Sequence, residues 1–301
     1  MIEQRSNHHL TDRRLLISNL QKTIRRQQTE RAVRTALCLL EYHPKQVIRR
    51  LPIIMVEDTI LHPHLPKITE MMVKDAEGKG LTGEDVNIFL SVVRDISQTK
   101  VKDLPDESLI AIRPELRPQD HMGEFGSSLT QSLRVRAKYG GMKFDMGMLR
   151  RFADHWEVRL THDELEWYEF LKSHYPEREH IEYKNIGTLG ESDVIPYSVD
   201  HHCSPIANIL YKKNEFKHEI QRRFSDQNSL DVIKDFLWCT WSSWNPRPVF
   251  WDSEYQTDFL KRHGWPTDQK YLELQELMGT EITDISKWYI NKKHKEHQNG
   301  K

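Results

Sequence analysis

Apolar side chains recur at three- and four-residue intervals along most of this chain, the spacing that gives a helix one buried stripe. Leu15, Leu16, Leu20 and Ile24, with Asn19 and Thr23 in the same register, predict a first helix. Val33, Ala36, Leu37 and Leu40 follow Thr29, a helix-capping residue type, and predict a second that His43-Pro44 ends. A third apolar run, Val47 to Leu61, closes near Pro63 and Pro66. Leu65 to Val73 and Val86 to Ile96 predict two more, and Thr82 with Asp85 three residues on is set out as a capping box.

From Lys100 to Phe125 the pattern lapses into Pro, Asp and Glu, with Pro105, Pro114 and Pro118, which predicts a linker or long surface loop. Helical spacing returns from Leu129 to Lys138, breaks at Gly140-Gly141, and resumes from Met146 to Trp156. Leu165 to Leu171 predicts an aromatic-rich helix, and residues 184–198, with Gly187, Gly190 and Pro196, a loop. Ile206 to Phe224 and Leu230 to Trp244 are helical again. No hairpin signal interrupts the series. The expected class is mainly α, a multi-helix bundle. Its parts are a helical region at 1–100, a linker or loop at 101–125 and a second helical region at 126–301, packed on the first as one domain or separate from it.

Composition narrows this picture. A chain of 301 residues is long enough to bury a hydrophobic core without staples. A charged fraction of 30% implies large solvated faces, while the aromatics and branched aliphatics are too frequent for a disordered chain. The formal net charge is −1, so the molecule as a whole has no electrostatic signature, but its cations cluster. They dominate from Arg13 to Arg50, from Arg134 to Arg151, and around Lys292, Lys293 and Lys295. Cys38, Cys203 and Cys239 are odd in number and far apart, which fits an intracellular, reducing compartment, the cytoplasm or nucleus. The polar stretch Met1 to Leu10 lacks a signal-peptide core, and no apolar run is long enough to span a membrane.

Leu20 to Asp58 reads LQKTIRRQQTERAVRTALCLLEYHPKQVIRRLPIIMVED. Leu20-Gln21-Lys22 with Ile24-Arg25, Ala32 with Ala36-Leu37, and Arg49-Arg50-Leu51 with Ile54 and Glu57-Asp58 carry a resemblance. The stretch resembles the helical region that follows the ATPase module of the AAA+ family containing replication-associated recombination protein A and the Werner-helicase-interacting ATPases. The resemblance implies a helical, oligomer-forming collar for residues 1–100, acting at stalled replication forks. The chain departs from that family at Pro52, which is expected to kink or break a helix. It also has no GxxxxGK[ST] phosphate loop, so Ile53 to Asp58, which has the letters of a Walker B strand, lacks its ATPase context.

Several clusters could carry chemistry. Arg25, Arg26, Arg31 and Arg34, and in the second half Arg134, Arg136 and Lys138, could face the phosphates of a nucleic acid or form solvated helix faces. Arg49, Arg50, Glu57 and Asp58 suit an ion-pair network that fixes helix packing; Arg50 and Glu57 are two turns apart on a similar face. Tyr139-Gly140-Gly141-Met142, amid Arg136, Lys138 and Lys143 and followed by Asp145, could bind an anion at a helix N-terminus or simply break the helix.

Asp200, His201, His202 and Cys203 are all metal-binding residue types, although adjacency is not ligand spacing. The letters are shared with DHHC lipid transferases, which need membrane spans and a cysteine-rich domain. They are shared also with DHH phosphoesterases, which need an upstream DxD-type motif, and this chain has none of these features. His62 and His64 beside Glu57 and Asp58 form a second candidate for metal or for polar surface. Trp238, Trp241 and Trp244 recur every third residue, as a core stripe or a base-stacking platform.

The favoured reading is a non-catalytic helical accessory protein of DNA replication or recombination. It needs no cofactor, binds DNA or replication proteins, and has no membrane partner. The second reading is a metal-dependent, phosphoesterase-like enzyme using a divalent ion at Asp200, His201 and His202. The third is a structural interaction protein that forms homo-oligomers.

Overall fold

The computed structural model describes residues 12–103, 124–195, 198, 204–213, 217–218, 221–222, 229–237, 281, 283–285, 287–292 and 295. Among them the chain is mainly α, with ten α-helices, two short 3-10 helices and no strand. The helices are α1 (Arg13–Arg25), α2 (Thr29–Tyr42), α3 (Pro44–Asp58), α4 (Leu65–Ala76), α5 (Gly83–Gln98), α6 (Glu124–Lys138), α7 (Lys143–His162), α8 (Glu164–His174), α9 (Ser204–Lys212) and α10 (Ser229–Leu237). The 3-10 helices are Tyr183–Asn185, which overlaps the start of the segment expected as loop, and Glu191–Asp193, inside it.

Local chemistry sets the helix ends. The Asp12 carboxylate accepts from the Leu15 amide at 2.9 Å and starts α1. Thr82 and Asp85 form the capping box at the head of α5: the Asp85 amide donates to Thr82 Oγ1 at 3.1 Å and the Thr82 amide to Asp85 Oδ2 at 3.0 Å. Pro44 occupies the first turn of α3, where its missing N–H costs nothing. Pro52 does not break α3, which continues to Asp58. Val47, Ile48, Leu51, Ile53, Ile54, Met55 and Val56 are all buried, and that packing outweighs the one backbone bond Pro52 forgoes.

The chain divides into two compact units. One is formed by Gln27–Gly187, so α2–α5 and α6–α8 belong together although a linker or long loop is expected between them. In it α6 packs against α7, α2 against α5, and α3 contacts α2, α4, α6 and α7. Trp156, Phe89, Leu39, Leu40, Ile48 and Leu51 are fully buried there. The other unit combines α1 and Arg26 with the chain from Thr188 onward. The stretch from Leu20 to Asp58 that carries the family resemblance therefore crosses from one unit into the other.

Each unit has a polar anchor. In the first, Asp103 accepts from Trp156 Nε1 at 3.0 Å and from Arg159 Nη1 at 3.0 and 3.1 Å, and its amide donates to the Thr59 carbonyl at 2.8 Å. The Arg159 guanidinium lies 4.8 Å from the Trp156 ring centroid and 4.4 Å from that of Trp167, so the charge is held by a carboxylate and two aromatic faces. In the second unit, Asn19 is fully buried on α1. Its amide nitrogen donates to the Asp193 carbonyl at 3.1 Å, and its oxygen accepts from the Ile195 amide at 3.0 Å and from Ser198 Oγ at 2.5 Å. One side chain thus satisfies three groups of a segment far away in sequence.

Replacing Asn19 with Ala orphans all three, and a buried unsatisfied group costs about 1–3 kcal/mol. Asn19→Ala is therefore expected to lower unfolding stability by about 3 kcal/mol in urea titration, whereas Asn87→Ala on α5, with its partners near the surface, costs under about 1 kcal/mol.

Candidate functional site at the α6–α7 corner

The turn between α6 and α7 is built from below by arginines. Gly140 and Gly141 have φ of 81° and 143°, which glycine adopts without strain. Arg49 on α3 donates from Nη2 to the Tyr139 carbonyl and, at 3.3 Å, to that of Gly140. Arg136 on α6 donates from Nη1 to the Gly140 carbonyl at 2.9 Å and from Nε to the Arg49 carbonyl at 2.5 Å. Arg50 pairs with Glu57 at 3.2 Å and with Asp145 of α7 at 3.3 Å. Helices α3, α6 and α7 are thereby cross-linked at one point.

The cations outnumber the anions there. Burial, together with the nearby charges of Arg49 and Arg50, pushes the Arg136 guanidinium down to about 10, even with Asp145 acting in the opposite sense. It stays protonated at neutral pH, and the excess positive charge remains.

Above this base the corner is open. Met142 is 55% exposed and Phe144 67%, two large apolar side chains left in water within a few residues of the exposed Lys138 and Lys143. Arg150 is exposed two turns further along α7, on the same side as Lys143. The periodicity of the sequence marks neither Met142 nor Phe144; the local signal is a pair of large apolar residues directly after a glycine turn and among lysines.

The other expected nucleic-acid residues are distributed differently. Arg25 and Arg26 lie in the α1 unit, and Arg26 is nearly buried, its Nη1 donating to the Lys22 carbonyl at 3.4 Å. Arg31 donates to Gln28 Oε1 at 3.0 Å, and Arg34 pairs with Glu30 at 3.4 Å. Arg134 pairs with Glu157, and with Asp154 at 3.2 Å. Of that set, Lys138 is the exposed cation at the corner. Within the expected ion-pair network the structure brings Arg49, Arg50 and Glu57 together, adds Arg136 and Asp145, and leaves Asp58 buried at the end of α3.

His62 and His64 fall into a second polar cluster. His62 is buried, its Nδ1 accepts from the His64 amide at 3.0 Å, and its Nε2 lies 3.5 Å from Asp95. The Tyr175 ring is tilted against it at 4.4 Å. Among the described residues no group of three or more His, Cys, Asp or Glu side chains is placed to hold a metal ion. Asp200, His201, His202 and Cys203 lie outside the described residues, as do Trp238, Trp241 and Trp244. No described helix is long and apolar enough to cross a membrane.

No protein-family model matches this chain, and no curated protein and no solved structure is found to be similar to it.

The buried histidine makes the first unit acid-sensitive. Burial holds the His62 pKa below its ordinary 6.5, more strongly than Asp95 raises it. The unfolded chain then binds the proton first. The contribution is complete above about 6.5 and is lost as pH falls through that value toward the folded pKa. Asp95 is shifted below 3.8, because the bonds and charges of His62 and Arg94 outweigh the opposing effect of burial, so its own contribution is lost only in stronger acid. Chemical denaturation between pH 7.5 and 4.5 is expected to show stability falling through this window for the wild type, and a shallower fall for His62→Gln.

Proposed function

We propose that this chain is a non-catalytic, helical accessory protein of DNA replication or recombination that contacts single-stranded nucleic acid through the α6–α7 corner. The observation that carries the reading is the exposure of Met142 and Phe144 in the same short turn and helix start as the exposed Lys138 and Lys143, on a base with excess positive charge. Exposed lysines suit phosphates, and their condensed counterions would be released on binding. An exposed aromatic ring suits an unpaired base, because every base offers a flat face for stacking. Arg49 and Arg136 take no direct part. They hold the turn and raise the local potential.

The resemblance of Leu20 to Asp58 to the collar of DNA-maintenance ATPases supports the same setting, and the lack of a phosphate loop supports an accessory role. Arg31, Arg34 and Arg134, with partners within the unit, are less suited to phosphate contact than Lys138 and Lys143.

The test is fluorescence anisotropy of labelled single-stranded and duplex oligonucleotides at several salt concentrations. Binding is expected to weaken steeply with salt. Lys138→Glu with Lys143→Glu should lower affinity for both probes about tenfold or more. Phe144→Ala should weaken single-strand binding by roughly 1–3 kcal/mol and leave duplex binding nearly unchanged. Arg34→Glu should change neither by more than about twofold. Absence of binding at low salt, or binding insensitive to Lys138 and Lys143, would contradict the proposal.

A further inference from the structure

We infer that helix α8 of a second copy of this chain docks on the same α6–α7 corner, so that self-association and nucleic-acid binding exclude one another. The exclusion rests on the function proposed above; the docking does not.

Helix α8 packs on α7 and leaves its other side in solvent: of its residues only Leu171 is buried. Leu165, at 70% exposure, and Phe170, at 37%, lie on its open face. Helical spacing sets Glu166 and Glu169 between them on that face, and both are exposed. Glu169 has Lys172 at 3.7 Å, an exposed pair too weak to neutralise the face. Behind it, Trp167 packs edge-on to Trp156 at 5.8 Å and to Phe170 at 5.3 Å, so the helix is a firm ridge rather than a loose segment.

The corner is the counterpart of that ridge. Each presents two large apolar side chains and two exposed charges, carboxylates on α8 and ammonium groups at Lys138 and Lys143. Both patches belong to the Gln27–Gly187 unit, so every copy carries one of each. Such complementarity is satisfied by a head-to-tail contact between two copies, which is heterologous and either closes into a ring or extends. A nucleic acid strand and the α8 carboxylates would compete for the same two lysines.

The experiment is sedimentation of the full chain over a range of concentrations and salts, with Glu166→Lys/Glu169→Lys and Lys138→Glu/Lys143→Glu as separate variants. The wild type should gain mass with concentration at low salt and lose it at high salt. Each variant alone should remain at the single-chain mass. An equimolar mixture should regain assembly, because the intact corner of one variant meets the intact ridge of the other and the two charge-reversed patches are again opposite in sign. A stoichiometric single-stranded oligonucleotide should return the wild type to the single-chain mass.

A wild type that stays a single chain, variants that still assemble, or a mixture that does not pair would overturn the docking. Assembly that the oligonucleotide leaves intact would overturn the exclusion. If a charge reversal reduces helicity by circular dichroism, Leu165→Ser/Phe170→Ser and Met142→Ser/Phe144→Ser pose the same test without changing charge. The monomeric Glu166→Lys/Glu169→Lys variant separates the two readings. Its failure to bind the oligonucleotide sinks the proposed function while the docking stands, and binding without any wild-type assembly does the reverse.

Discussion

The guanidinium groups of Arg49 and Arg136, turned inward onto the backbone carbonyls of residues 139 and 140 and of Arg49 itself, are the constraint on which the corner depends. A turn with two glycines at positive φ is intrinsically floppy, and glycine loses the most freedom on ordering. Charge-assisted bonds from two helices offset that loss. They also fix where α7 begins, and thus where Met142, Lys143 and Phe144 emerge. Arg50, bridging Glu57 of its own helix and Asp145, adds a tie between α3 and α7.

This arrangement separates two roles that arginine-rich segments often combine. The arginines act on structure and field, through bonds to backbone and carboxylates. The lysines and the phenylalanine, left in solvent, are available for contact. Buried guanidinium groups with like charges nearby are costly, as the lowered pKa of Arg136 reflects. A cluster that retains such charges maintains a positive potential at the surface above it, which a binding partner of opposite charge relieves.

Much of the fold is legible in the sequence because helices announce themselves locally. Apolar spacing locates α1–α5, and Thr82 with Asp85 marks the head of α5 to the residue. Arg50 with Glu57 is legible for the same reason, since both lie on one helix. Asn19 sits in the apolar stripe of α1 as an apparent irregularity. Its meaning lies in Asp193, Ile195 and Ser198, more than 170 residues away, and no local pattern encodes that distance. Arg136 meets Arg49 across 87 residues in the same way, so a row of arginines looks like a phosphate-binding face until its partners are in place. Exposure of Phe144 is equally non-local. An aromatic residue at the start of a helix is buried or free according to what packs over it.

Ultraviolet cross-linking is the most direct test of the proposal that the α6–α7 corner meets nucleic acid. A single-stranded oligonucleotide is irradiated on the full chain, and the adducts are mapped by mass spectrometry. The expected result is an adduct on the peptide containing Phe144, lost when Lys138 and Lys143 are reversed in charge. Adducts confined to the tryptophan-rich segment from Trp238 to Trp244, or to Arg25–Arg34, would contradict it.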